Sequence, residues 1–196
     1  MEAKRFIALE GLACTFKTTL LKRFAATNKK VTVHLSDFAE VIQELDLQNK
    51  KTAPLIYTAA RVAEMAKCSA GVHIFDRVAI TSVLYTHIFN EDDDDARHDS
   101  ILADCASLKK SGLMADWGRT LIMLTKPGQE DELVENMRKR GNGLDWLSVE
   151  YVRRQNQVFK IFAEQFGLPV YELDLAKSWT DQQDEIVKFL WDMCLE

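Results

Sequence analysis

Proline and glycine are scarce, three and eight among 196 residues, which excludes collagen-like and low-complexity chains and leaves no stretch composed for disorder. Cysteine is almost as rare. Cys14, Cys68, Cys105 and Cys194 are widely spaced and form no CxxC pair, so a disulfide scaffold is excluded and a reducing compartment is expected. No run of about 18 apolar residues occurs, and the opening MEAKRFIALEG has no apolar stretch long enough for a secretory signal, so the expected location is the cytoplasm. His34, His73, His87 and His98 show neither HxxxH spacing nor cysteine company along the chain, and the expectation is no structural metal. A net charge of -5 gives no general attraction to nucleic acid or to a membrane surface; anionic small molecules need only a few placed cations.

What is present is an ordinary globular composition, 47% hydrophobic and 28% charged, at a length suited to one domain spanning 1–196. Short apolar runs alternate with segments of helical period. Phe6 to Leu9, Val31 to Leu35, Val72 to Phe75, Leu121 to Leu124 and Val170 to Leu173 read as strands. Helices are expected over 38–45, capped by Ser36 or Asp37, and over 52–67, opened by Thr52 and Pro54, with Leu55, Ala59, Val62 and Ala66 near helical spacing. Further helices are expected over 78–88, 98–110, 130–138 and 148–165 and at the C-terminus. Five strands joined by helical crossovers imply an α/β fold of three layers, with a five-stranded parallel sheet covered on both faces. Ligands of such sheets bind beyond the carboxyl ends of the strands, so the residues after each strand are the candidates for chemistry.

After the first strand comes Gly11-Leu-Ala-Cys14-Thr15-Phe16-Lys17-Thr18-Thr19. Compared with G-x-x-x-x-G-K-[ST], it keeps the first Gly, the Lys and the Thr at their spacing and has Phe16 in place of the second Gly. In an intact loop the backbone amides wrap the phosphates, the Lys reaches the β and γ oxygens and the hydroxyl ligates Mg²⁺. A benzyl side chain at position 16 could block the site or force another loop conformation. At the end of the third strand, Asp76 could hold a magnesium-bound water or act on an acceptor hydroxyl, and Arg77 could fork onto phosphate or anchor a carboxylate. The acids Glu91 to Asp95 are expected to form a solvated loop. Trp117, Trp146, Trp179 and Trp191 are assigned to packing.

FIALEGLACTFKTTL resembles the opening of thymidylate kinases and deoxynucleoside kinases, and FDRVAITSVLY resembles the thymidylate kinase pattern D-R-Y-x-x-S-x-x-A-Y. PLIYTAARVAEM is similar to the thymidylate kinase helix ending in A-N-R-W-E, whose Arg contacts the acceptor nucleotide; that position here is Arg61. LIMLTKPGQEDELVENMRKRGN followed by LSVEYVRRQNQVFKIF resembles the deoxynucleoside kinase strand, helix, Arg-rich lid and L-E-Y-L helix. The resemblance covers most of the chain. It implies a P-loop NTPase-like fold, ATP and Mg²⁺ as cofactors, a homodimer, and a lid at about 138–146 that carries Arg138 and Arg140. It further implies a phosphate loop of Gly11, Cys14, Thr15, Phe16, Lys17, Thr18 and Thr19, with Thr18 and Asp76 on the metal.

The sequence also departs from the family pattern. Cys14 replaces another family glycine, Val78 replaces the Tyr or Ser after Asp-Arg, and the P-E-P segment that supplies the nucleoside kinase base has no clear counterpart. Asp37, with Glu40 second, is the placed carboxylate in HLSDFAEV, and Tyr57 is the candidate for stacking on the base. The implied activity is transfer of the ATP γ-phosphoryl group to a deoxynucleoside, thymidine first. The alternatives are a thymidylate kinase using Arg61, Asp76 and Arg77 on the acceptor, and an impaired nucleotide-binding or scaffold relative.

Overall fold

In a computed structural model, which describes residues 3–35, 52–90 and 93–195, five parallel strands form one sheet in the order β2-β3-β1-β4-β5. These are β1 Lys4–Gly11, β2 Val31–His34, β3 Gly71–Asp76, β4 Thr120–Thr125 and β5 Val170–Leu173. The helices are α1 Lys17–Thr27, α2 Ala53–Lys67, α3 Thr81–Phe89, α4 Asp94–Ser111, α5 Glu130–Arg140, α6 Val149–Phe166 and α7 Trp179–Leu195. A short 3-10 turn, Ala115–Trp117, precedes β4. The expected helix over 38–45 and its capping residues lie outside the described residues.

Strand alternation produces the three layers. Phe6 and Ala8 of β1 point into a core shared with Phe75, Ile122 and Phe159, on the face that α6 covers. Ile7 and Leu9 point the other way, onto Leu20, Leu21 and Phe24 of α1 and Ile186 and Leu190 of α7. At the carboxyl end of β1, Gly11 has φ 122, and a Cβ there would stand 2.0 Å from the Met123 carbonyl oxygen of β4. The first glycine of the loop is thus demanded by the close approach of β4, before any ligand is considered.

Three expectations need correcting. The Glu91 to Asp95 run is not wholly a loop, because the Asp93 carboxylate accepts from the Ala96 amide and caps α4, with Asp94 and Asp95 in its first turn. Three successive acids suit a helix N-terminus, where they oppose the positive end of the dipole. The helix expected from Val78 starts at Thr81 instead, because a buried carboxylate claims the Val78 amide. On α2 the periodicity located the helix but not its inner face: Ala53, Tyr57, Arg61 and Met65 are buried, while Leu55, Ala59, Val62 and Ala66 face outward. Among the described residues, no helix is long and apolar enough to cross a membrane.

Candidate active site

The turn from β1 to α1 holds two non-glycine residues in the left-handed region, Cys14 at φ 58 and Phe16 at φ 59. Each costs roughly 1–2 kcal/mol relative to a right-handed conformation. That strain sits where the resembled pattern would place glycine. Phe16 does not block the turn. Its ring is turned outward and lies 4.3 Å, centroid to centroid, from that of Trp179 at the start of α7. The two rings flank a small groove of about 270 Å³ that also touches Asn136 and Lys139 of α5.

Helix α1 begins at Lys17 with no side-chain cap and no acid in its first turn. Its first amides therefore lack partners within the helix, and the dipole offers its positive end to an anion. The Lys17 ammonium folds back over the turn, donating to the carbonyls of Gly11 (3.3 Å) and Leu12 and to the Thr15 hydroxyl (3.1 Å). Burial, and secondarily the Arg77 charge, pull its pKa down to about 7. An anionic ligand in the turn would restore the charge.

Across the turn, the Thr18 hydroxyl donates to Asp76 Oδ2. A hydroxyl and a carboxylate oxygen in contact are hard donors of the kind Mg²⁺ accepts, so these residues fit that ion. Next to Asp76, Arg77 adopts φ 78, and its guanidinium reaches Glu10 Oε1 at 2.7 Å, the Gly11 carbonyl at 2.9 Å and the Tyr85 hydroxyl at 3.2 Å.

Glu10, fully buried, was not among the sequence candidates. Its carboxylate accepts from the Gly11 amide (2.9 Å), the Val78 amide (3.1 Å), Arg77 and the Thr81 hydroxyl. It ties the end of β1 to the turn that follows β3, and the signal for it was an acid inside the apolar run FIALEG. Gln155 of α6 was missed in the same way. Its Oε1 accepts from the Ala13 amide at 2.8 Å and from the Tyr85 hydroxyl at 3.3 Å, fixing the loop from the far side. A glutamine between Val152 and Val158 on the buried face of α6 was the visible sign.

Lys17, Thr18, Thr19, Asp76, Arg77 and Arg140 all line one cleft of about 1840 Å³, as do Cys14, Thr15 and Phe16. This exceeds the roughly 300–1,000 Å³ of a pocket for one small molecule. Arg140, at the end of α5, points Nη1 at Cys14 Sγ, 4.0 Å away. Arg138, two residues back and so on another side of the helix, is exposed and pairs with Glu135, and is not part of the cleft lining. Gly141 at φ 60 ends α5, and Asn142 and Asp145 close the following turn with a 3.0 Å hydrogen bond.

Two sequence candidates are placed elsewhere. Tyr57 is fully buried and outside the cleft lining. Arg61 is equally buried; its guanidinium donates to Glu64 Oε2 at 2.8 Å and to the Asp76 carbonyl at 2.6 Å. Asp37 lies outside the described residues. The aromatic wall of the cleft comes from other residues, Tyr85 and Phe89 of α3, Trp146 of the turn after α5 and Tyr151 of α6. Phe89 stands 5.2 Å from Trp146 and 5.6 Å from Tyr151. Trp146 was assigned to packing, yet it is two-fifths exposed on the cleft wall.

No family model matches the chain. The sequence is 31% identical over 194 residues, 95% of its length, to a protein of Lymantria dispar multicapsid nuclear polyhedrosis virus described as an uncharacterized 33.9 kDa protein in the PE 3' region. The chain spans 63% of that relative. Among solved structures it is similar to deoxyadenosine kinase from M. mycoides with bound dATP, with a TM-score of 0.63 and 16% identity over 94% of this chain and 98% of that one. The same kinase with bound dCTP gives 0.62 and 16%, covering 95% and 99%. With dCMP and dCDP it gives 0.61 and 14%, covering 96% and 99%. At these identities the likeness is one of architecture: the chain has the α/β fold with a five-stranded parallel sheet of the P-loop deoxynucleoside kinases.

Proposed function

We propose that the protein transfers the γ-phosphoryl group of ATP to the hydroxyl of a deoxynucleoside. The observation that carries this reading is the outward position of the Phe16 ring. It leaves an uncapped helix N-terminus, Lys17 and the Thr18–Asp76 pair facing one cleft. Lys17 leaves the loop carbonyls for the β and γ oxygens, and the α1 amides hold the phosphates. Thr18 and Asp76 would hold Mg²⁺, which supplies charge neutralisation between the β and γ phosphates when bound. Arg77 and Glu10 keep the turn in place, while Arg140 closes from the lid with Arg138 behind it, offsetting charge that develops during transfer. Trp179 offers a face to the adenine of ATP, and the Phe89 and Trp146 rings offer one to the acceptor base. Asp37 stays the assigned acceptor base on sequence grounds.

The engagement of Arg61 with Glu64 and the Asp76 carbonyl favours a nucleoside over a monophosphate acceptor, because an acceptor phosphate would need that guanidinium free. The nucleotides bound to the M. mycoides kinase also support a deoxynucleoside acceptor. The test is incubation with γ-labelled ATP and Mg²⁺ against thymidine, the other deoxynucleosides and dTMP. Label in a monophosphate product supports the reading, label in dTDP moves it to thymidylate kinase, and no labelled product from any acceptor sinks both.

A second reading, a nucleotide-binding or scaffold relative without turnover, is favoured by Lys17 itself, whose ammonium occupies the loop with its own carbonyl partners. Calorimetry with ATP and Mg²⁺ separates the two. Heat of binding without turnover, or no binding by either the wild type or Phe16→Gly, supports the scaffold.

A further inference from the structure

On the far side of β3 from the phosphate loop, three residues distant in sequence converge. His34 ends β2, His73 lies within β3, and Cys68 caps the C-terminus of α2. Their ligand atoms all lie within 4.8 Å of one another. His34 Nε2 stands 3.1 Å from His73 Nδ1 and 3.8 Å from Cys68 Sγ. A tetrahedral zinc ion, with Zn–N of about 2.0–2.1 Å and Zn–S of about 2.3 Å, requires N···N of about 3.3 Å and N···S of about 3.6 Å. The two spacings differ from those values by about 0.2 Å each, one shorter and one longer, and Cys68 Sγ lies within 4.8 Å of the His73 ligand nitrogen.

The outer ring nitrogens decide which way the lone pairs face. His34 Nδ1 lies 2.9 Å from Glu64 Oε1, and His73 Nε2 lies 3.0 Å from the Ser69 carbonyl oxygen. Both partners only accept, so each of these nitrogens carries its proton there. In their neutral forms the two rings turn lone pairs toward each other, with the Cys68 sulfur beside them. Two acceptors at that distance need a cation between them. A carboxylate on one histidine and a backbone carbonyl on the other are also the outer contacts that orient zinc-binding imidazoles. The rings themselves are held: His34 lies parallel to Phe75 at 4.2 Å, and His73 packs on Phe6 at 5.9 Å.

We infer that His34, Cys68 and His73 form a binding site for a thiophilic divalent cation, zinc by donor type, with one coordination position left for water. Two imidazoles and one thiolate suit zinc and not Mg²⁺. Because β2 is an edge strand of the sheet, the ion fastens it to β3 and to the end of α2. Glu64 extends the connection, since its second oxygen holds Arg61, which holds the Asp76 carbonyl. The site makes no use of the phosphate loop and stands or falls apart from the kinase reading.

The test uses the whole protein, stripped with a chelator and titrated with Co²⁺ in the absence of nucleotide. The expected result is one Co²⁺ per chain, a thiolate-to-cobalt charge-transfer band, displacement by Zn²⁺, and a melting temperature that rises with Zn²⁺. Cys68→Ser should lose the band, His34→Gln should weaken it, and Cys194→Ser, in the opposite core, should keep it. Folded wild-type protein that takes up Co²⁺ without the charge-transfer band, or takes up none, overturns the site and leaves a proton shared by the two histidines as the occupant.

Discussion

Phe16 departs from the motif's glycine yet adopts the left-handed conformation that glycine favours. In its left-handed conformation it costs roughly 1–2 kcal/mol, and stacking on Trp179 returns about 0.5–1.5 kcal/mol. The two nearly cancel. Phe16→Gly is therefore expected to change stability by less than about 1 kcal/mol in urea melts and to keep ATP binding. If the side chain instead held the loop open, the variant would lose binding while staying folded. Lys17 gives a sharper residue-level expectation. Its pKa is lowered to about 7 by burial and by Arg77, against an ordinary 10.5, so between those pH values the unfolded chain holds a proton that the folded chain has released. Stability should consequently rise with pH across that window, by an amount on the order of a few kcal/mol over its full width. Lys17→Met should flatten the rise, and parallel urea midpoints for the two proteins at pH 7 and pH 9 would show that Lys17 is not the cause.

At the scale of elements, the site depends on junctions between them. Glu10 joins the end of β1 to the turn before α3 through Arg77, the Val78 amide and Thr81. Glu10→Gln leaves the Arg77 guanidinium without its anion, and the expected loss is about 3–5 kcal/mol in denaturant unfolding. A loss under 1 kcal/mol would mean that solvent reaches this carboxylate. Helix α5 is arranged in the opposite way, with acids in its first turn and Arg138, Lys139 and Arg140 in its last, all favourable to its dipole. These exposed cations contribute little to stability. Arg140→Ala should leave the melting temperature nearly unchanged and lower kcat by about 10²-fold. An equal fall in stability would assign Arg140 to the fold instead of the reaction.

For the molecule as a whole, a sheet whose two faces carry separate cores, both built on β1, β3 and β4, should unfold as one unit. A single calorimetric transition that moves upward with ATP and Mg²⁺ is expected, by mass action on the folded state alone. Two transitions would divide the chain 1–196 into separate units. The sheet and most helices could be read in the sequence because short apolar runs and helical periods are local patterns. The inner face of α2 could not, because Tyr57 and Arg61 are buried by partners on other elements. The aromatic cleft wall was hidden for a similar reason: Phe89 and Trp146 are 57 positions apart and meet only between α3 and the turn after α5.

The sequence by itself determined the parallel α/β class, the place of the turn between β1 and α1, and the two cations beside it, Lys17 and Arg77. Those are properties of adjacent residues and of the order of elements. Only the tertiary structure decided that Phe16 faces Trp179, that Glu10 and Gln155 hold the loop, and that His34, Cys68 and His73 share one point. Each of these depends on distances between strands and helices that no spacing along the chain encodes.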